Sequence, residues 1–271
     1  MVNGTGNQKW PGNAGHFLWN IMKRFASILS VLLMLLVFIT GCRRDNPDQP
    51  EGDNYTVYRT EVSGFSGLCY SAAKNSFYAV SDNGNLYETD KEGNTIRNFG
   101  LSGNNDFEAI SFDAVQNRLY LADEALMNIY WLTPGQTVLN AVTHITINGG
   151  ISNKGIEGLS FGRDTLYIVN QESPKLLIKY SLSGQAETSR IPVDFAAYLS
   201  DIFFDASDNS LWICDSQQKM IFHCTVNGEL LASQDIHFVP KAEALVIDRA
   251  DNSAWVGCDQ SSGLYKIKLK I

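Results

Sequence analysis

The chain has 271 residues, a formal net charge of −8 and 44% hydrophobic side chains. An acidic chain without a basic cluster excludes nucleic acid as a partner, because that binding rests on neutralising phosphates with Lys and Arg. It equally excludes adhesion to anionic lipid by charge.

Lys23 and Arg24 precede an apolar run from Ile28 to Ile39. The run is too short and too near the N-terminus to read as a membrane span. Basic flank, apolar stretch and small residues read instead as a secretory signal. It ends Ile39-Thr40-Gly41-Cys42, which is similar to the lipobox of bacterial lipoproteins, where the cysteine thiol is acylated. The alternative is an ordinary signal peptide with a chance cysteine. Met22 stands at the natural start of such a signal, so residues 1–21 are expected to be an upstream extension, 22–41 the signal and Cys42 the site of lipid attachment. The expected location is the cell envelope outside the cytoplasm, on the outer membrane. Residues 1–41 hold three basic and no acidic side chains, which leaves about −11 on the remainder. Residues 42–54, with two prolines and no periodicity, read as a flexible tether.

From Tyr55 onward a short pattern recurs five times: Phe65-Ser-Gly-Leu68, Phe107-Glu-Ala-Ile110, Ile156-Glu-Gly-Leu159, Leu199-Ser-Asp-Ile202 and Ala242-Glu-Ala-Leu245. Its second residues are spaced 42, 49, 43 and 43 apart. After each copy comes a run opening on an aromatic (Tyr78, Tyr120, Tyr167, Trp212, Trp255) and then a third short apolar run. Asn/Asp/Ser clusters and Gly turns separate the runs, and a fourth strand follows in four copies. Four strands per repeat of this length is the pattern of propeller blades. No stretch holds a helical period. The reading is an all-β, five-bladed β-propeller over residues 55–271. The fifth copy ends after its third strand, and the run Tyr55–Val62 is left over. That N-terminal strand is expected to complete the last blade and close the ring, removing a bare sheet edge.

These repeats, with the acid-terminated runs Tyr78-Ala-Val-Ser-Asp82 and Tyr120-Leu-Ala-Asp-Glu124, resemble the SdiA-regulated family of bacterial propellers, itself distantly similar to proteins with NHL repeats. The resemblance spans all five copies. It implies a five-bladed propeller and a calcium ion at a site shared across the family, and it brings no established activity. Ser66 and Ser200 stand where the motif has glutamate.

In a propeller the first strand of each blade lines the channel, so two rings of residues should meet at one mouth. The inner ring is Ser66, Glu108, Glu157, Ser200 and Glu243; the second is Asp82, Glu124, Glu172, Asp215 and Asp259, with Asp106 and Asp201 beside the inner motif. Crowded carboxylates repel one another, which raises some pKa values or recruits a cation. A hard divalent ion with oxygen ligands suits them. Calcium accepts such a set in flexible geometry, and magnesium demands stricter octahedra. Zinc lacks His or Cys in either ring, although Cys258 adjoins Asp259. The expected metal ligands are Glu108, Glu157, Glu243, Asp82, Glu124, Asp201, Asp215 and Asp259. A purely structural role for these acids, bonding backbone N–H groups of neighbouring blades, is the alternative.

Gly158-Leu-Ser160-Phe-Gly162 matches the nucleophile-elbow pattern but lies within a strand and lacks a histidine partner, against a serine hydrolase. Cys69, Cys214, Cys224 and Cys258 are too few for a disulfide scaffold; Cys214 and Cys224 fall on neighbouring strands, either bonded or as buried thiols. The expected function is a monomeric calcium-binding module for a protein or small-molecule ligand. The alternatives are a calcium-dependent hydrolase of lactonase type and a structural lipoprotein without a ligand.

Overall fold

The computed structural model describes residues 51–52, 54–101, 105–150 and 154–271. The expected signal, the Cys42 anchor and most of the tether lie outside them. Among the described residues there is no helix, only strands in five antiparallel sheets.

The first blade is β3 (Phe65–Ser71), β4 (Ser76–Ser81), β5 (Leu86–Thr89) and β6 (Thr95–Asn98). The second is β7 (Phe107–Asp113), β8 (Arg118–Asp123), β9 (Asn128–Leu132) and β10 (Asn140–His144). The third comprises β11 (Ile156–Gly162), β12 (Thr165–Asn170), β13 (Leu176–Ser181) and β14 (Ala186–Pro192). The fourth comprises β15 (Leu199–Asp205), β16 (Ser210–Asp215), β17 (Met220–Thr225) and β18 (Leu230–Asp235). In the fifth, β19 (Ala242–Asp248), β20 (Ser253–Cys258) and β21 (Gly263–Lys268) are joined by β2 (Tyr55–Arg59) from the other end of the chain. Tyr55 pairs with Ile267 and Arg59 with Gly263, so the ring closes as the sequence led us to expect. One strand is added: β1 (Glu51–Gly52), within the expected tether, folds back onto Tyr55 and Thr56.

The five first strands contact one another in a closed circle, β19 meeting β3. Aromatic pairs, two stacked and two tilted, bridge four of the five blade junctions. Tyr78 packs on Phe112, Tyr120 on Phe161 and Tyr167 on Phe204, with centroids 5.7, 5.7 and 5.1 Å apart, and Trp255 meets Phe77 at 5.2 Å. All five recurring aromatics are buried core, each worth a large apolar area. The small third residue in four of the five copies (Gly67, Ala109, Gly158, Ala244) has a steric cause. A Cβ on Gly67 would stand 2.9 Å from the Ala109 backbone, because consecutive first strands approach backbone to backbone near the axis.

Side-chain oxygens take up N–H groups that the first strands turn away from their own ladders. Ser111 Oγ accepts from Phe161 N–H at 2.7 Å and Ser160 Oγ from Phe204 N–H at 2.8 Å. Ser160 of the Gly-x-Ser-x-Gly pattern is therefore a tie between blades. The four cysteines among the described residues, Cys69, Cys214, Cys224 and Cys258, are buried free thiols. Register explains why Cys214 and Cys224 do not bond: Cys214 faces Ile221, and Cys224 faces Leu211.

Candidate functional site

Each first strand breaks register at the second residue of the repeat. The ladder skips Ser66, Glu108, Glu157, Ser200 and Glu243, one bulge per blade. A bulged residue leaves the pairing pattern and is re-aimed, which is why bulges gather at functional sites. Five bulges in step place these residues around one mouth of the channel.

The second strands end at that mouth. Phe65, Phe107, Ile156, Leu199 and Ala242 pair with Ser81, Asp123, Asn170, Asp215 and Cys258. The next residue in each blade forms the second ring: Asp82, Glu124, Gln171, Ser216 and Asp259. Two expected members are thereby corrected by one position, Gln171 replacing Glu172 and Ser216 replacing Asp215. In four blades this residue's N–H closes on the carbonyl two residues before the bulge, as Asp82 does on Gly64 and Gln171 on Gly155.

The expected ligands divide into groups. Asp201 is buried, its carboxylate accepting from Ile202 N–H at 2.8 Å and Leu245 N–H at 2.6 Å; it bonds the fourth blade to the fifth. Asp215 is likewise taken up. One oxygen accepts from Ala197 and Tyr198 N–H, the other from Gln217 and Gln218 N–H. Neither faces the cluster of acids. Ser200 donates to the Ala242 carbonyl at 2.8 Å and is a structural link. On the fifth blade, Lys241 lies 2.8 Å from Glu243 and 2.7 Å from Asp259, one positive charge shared between two acids. Glu172, outside the ring, pairs with Lys154.

The first three blades keep the uncompensated acids. Asp106, Glu108 and Glu124 each offer an oxygen within 4.8 Å of the others. Asp82 accepts from Ser66 Oγ at 2.5 Å. Glu124 Oε1 accepts from Gly155 N–H at 2.7 Å, and Glu157 Oε1 from Gln171 Nε2 at 2.5 Å. Gln171 is 3% exposed, and its Oε1 has no hydrogen-bond partner among the described residues.

Burial, followed by the charges of Asp82, Asp106, Glu124 and Glu243, pushes the Glu108 carboxyl up to about 8. Glu157 is held well above the usual carboxylate range by burial and then by Glu108, Glu124 and Glu243. Burial raises Glu243 to about 7 against the opposing pull of Lys241. Burial also raises Glu124 and Asp106, whose respective neighbours Asp106 and Asp123 add to the effect. Such a funnel favours protons or a cation. The oxygen-only donor set and the buried amide oxygen of Gln171 fit a hard divalent ion.

Gln171 was invisible to a search for acids. Only the ladder register, or counting from Asn170 as the match to Asp123, brings it into the ring.

A family model described as SdiA-regulated matches residues 55–252. No curated protein matches the sequence. Among solved structures, glutaminyl cyclase from Myxococcus xanthus is similar with TM-score 0.60 at 12% identity, covering 78% of this chain and 93% of its own. A gluconolactonase from Xanthomonas campestris gives TM-score 0.53 at 12% identity, over 80% of this chain and 90% of its own. A luciferin-regenerating enzyme gives 0.53 at 13% identity, over 80% and 96%. At these identities the likeness is one of fold.

Proposed function

We propose, from the premise that this chain belongs to the SdiA-regulated family, that its propeller is a calcium-dependent binding module whose site is the carboxylate funnel. Asp106, Glu108 and Glu124 hold the ion, with Glu157 and Gln171 completing its oxygen surroundings. The observation that carries this reading is the Gln171 Oε1 atom, buried beside Glu157 with no partner among the described residues. An orphaned buried acceptor costs about 1–3 kcal/mol, and a cation supplies its partner. Lys241 pairs with the fifth-blade acids alone, so the demand for positive charge is greatest on the first three blades.

The ion supplies charge neutralisation and an exposed Lewis-acidic point for an oxygen of a ligand. The chain's own groups then act as follows. Glu124 stays fixed by the Gly155 N–H, Glu157 by the Gln171 amide, and Asp82 by Ser66. Attachment through Cys42 would present this mouth from the envelope membrane to a protein or small ligand.

Titration calorimetry of the purified protein with calcium, magnesium and zinc tests the reading. One calcium site, weaker for magnesium and lost in Glu124→Gln, supports it. Absence of calcium binding to the wild-type protein removes it. A parallel assay of lactones and esters, with and without chelator, decides whether the ion serves a hydrolase; turnover abolished by chelation would replace the binding module with that enzyme.

A further inference from the structure

The opposite face of the ring carries a second concavity. Between the second and third blades lies a groove of about 370 Å³, within the about 300–1,000 Å³ of small-ligand sites. It is lined from the turns β7–β8 and β11–β12, at the ends of the first strands remote from the bulges. Its cationic residues are Arg118 and Arg163. Arg190 and Arg249 are each held by carboxylates, whereas neither groove arginine has an acid within ion-pair distance among the described residues. The one groove acid, Asp164, is engaged elsewhere: one oxygen accepts from Ser183 N–H and the other from the hydroxyls of Ser181 and Ser183.

Arg118 lies over the Trp131 ring, its guanidinium carbon 4.1 Å from the centroid. Stacking fixes the plane of a guanidinium and leaves its N–H edge available for a bidentate acid. Trp131 and Tyr180 give the groove an aromatic wall, while Gln116 and Gln185 bring amides to it. We infer that this groove binds a sugar acid: Arg118, seated on Trp131, and Arg163 take the carboxylate, Tyr180 takes the apolar face of the ring, and the glutamines take hydroxyls. Two guanidiniums without an acid partner among the described residues make this groove locally positive against the chain's net charge of −8, the charge complementarity that selects an anion. The site is separate from the carboxylate funnel and does not depend on it.

Titration of the purified protein with glucuronate, glucose and inorganic phosphate tests this, in EDTA so that the funnel plays no part. Expected is saturable binding of glucuronate that weakens with salt, and weaker binding of both glucose and phosphate. Arg118→Lys and Arg163→Gly should each weaken glucuronate by about tenfold or more. Arg163→Gly is a safe variant for folding, since Arg163 occupies a left-handed turn with φ 61° that glycine adopts freely. The inference is overturned by no glucuronate binding, by affinity unchanged in both variants, or by glucose or phosphate binding as tightly as glucuronate.

Discussion

Gln171 and Glu157 share a buried 2.5 Å hydrogen bond in which the amide donates and its own oxygen is left without a partner among the described residues. The pair joins the two rings of the mouth, the bulged first strand and the end of the second. It fixes a carboxyl that burial, and then Glu108, Glu124 and Glu243, push well above the usual carboxylate range. A cation answers both needs at once, the spare acceptor and the crowded charge.

Replacing Gln171 with leucine removes the amide that orients Glu157. Calcium affinity should fall by about 10- to 100-fold, the usual effect of losing a group that orients a ligand. Calorimetry reads this directly; unchanged affinity would place the ion away from the third blade.

The pH dependence follows from the raised carboxyls. Glu108 at about 8 and Glu243 at about 7 both lie above their ordinary value of 4.5. Protonation favours the folded state, so without calcium their contribution is full below 4.5 and is lost as pH rises through about 7 to 8. Calcium binding requires the ionised acids and should tighten over the same window. Denaturation midpoints at pH 5, 7 and 8.5, in EDTA and in calcium, measure both trends.

Asp201 is a structural element of the ring. Asp201→Ala leaves the N–H groups of Ile202 and Leu245 without acceptors, at a cost of about 3 kcal/mol. Urea unfolding should show that loss, while the increment gained from calcium stays as in the wild type.

Near the axis, Gly67→Val drives a branched side chain into the Ala109 backbone, where even a Cβ stands at 2.9 Å. Overpacking of this kind costs about 1–3 kcal/mol. A thermal melt lower than wild type in EDTA is the expected result.

Much of the fold was legible because a propeller repeats itself. The five copies, the buried second-strand aromatics and the unpaired Tyr55 strand each carry a period or a remainder that the sequence displays. The site was legible only in outline. Glu108, Glu157 and Glu243 were found because they are the repeat's own acids, but composition carries no trace of the bulge that re-aims them. Asp201 and Asp215 have the right residue type at the right mouth, yet backbone N–H groups occupy them, a fact of three-dimensional register. Glu172 differs from Gln171 by one position, and in a strand one residue reverses the face.

The most direct test is thermal unfolding of the purified protein in EDTA and again with calcium restored, for wild type and Glu108→Gln. Calcium at a hundredfold over its dissociation constant stabilises by about 2.7 kcal/mol, and each kcal/mol moves the midpoint of a domain this size by about 2–4 °C. The wild type should therefore show a saturating rise of about 5–10 °C. At pH 8.5, where the wild-type carboxyl of about 8 is ionised, Glu108→Gln should melt higher than wild type in EDTA, because one buried charge is gone, and should not respond to calcium. A wild-type midpoint that calcium leaves unmoved, or an equal rise in Glu108→Gln, would contradict the assignment of the funnel as the metal site.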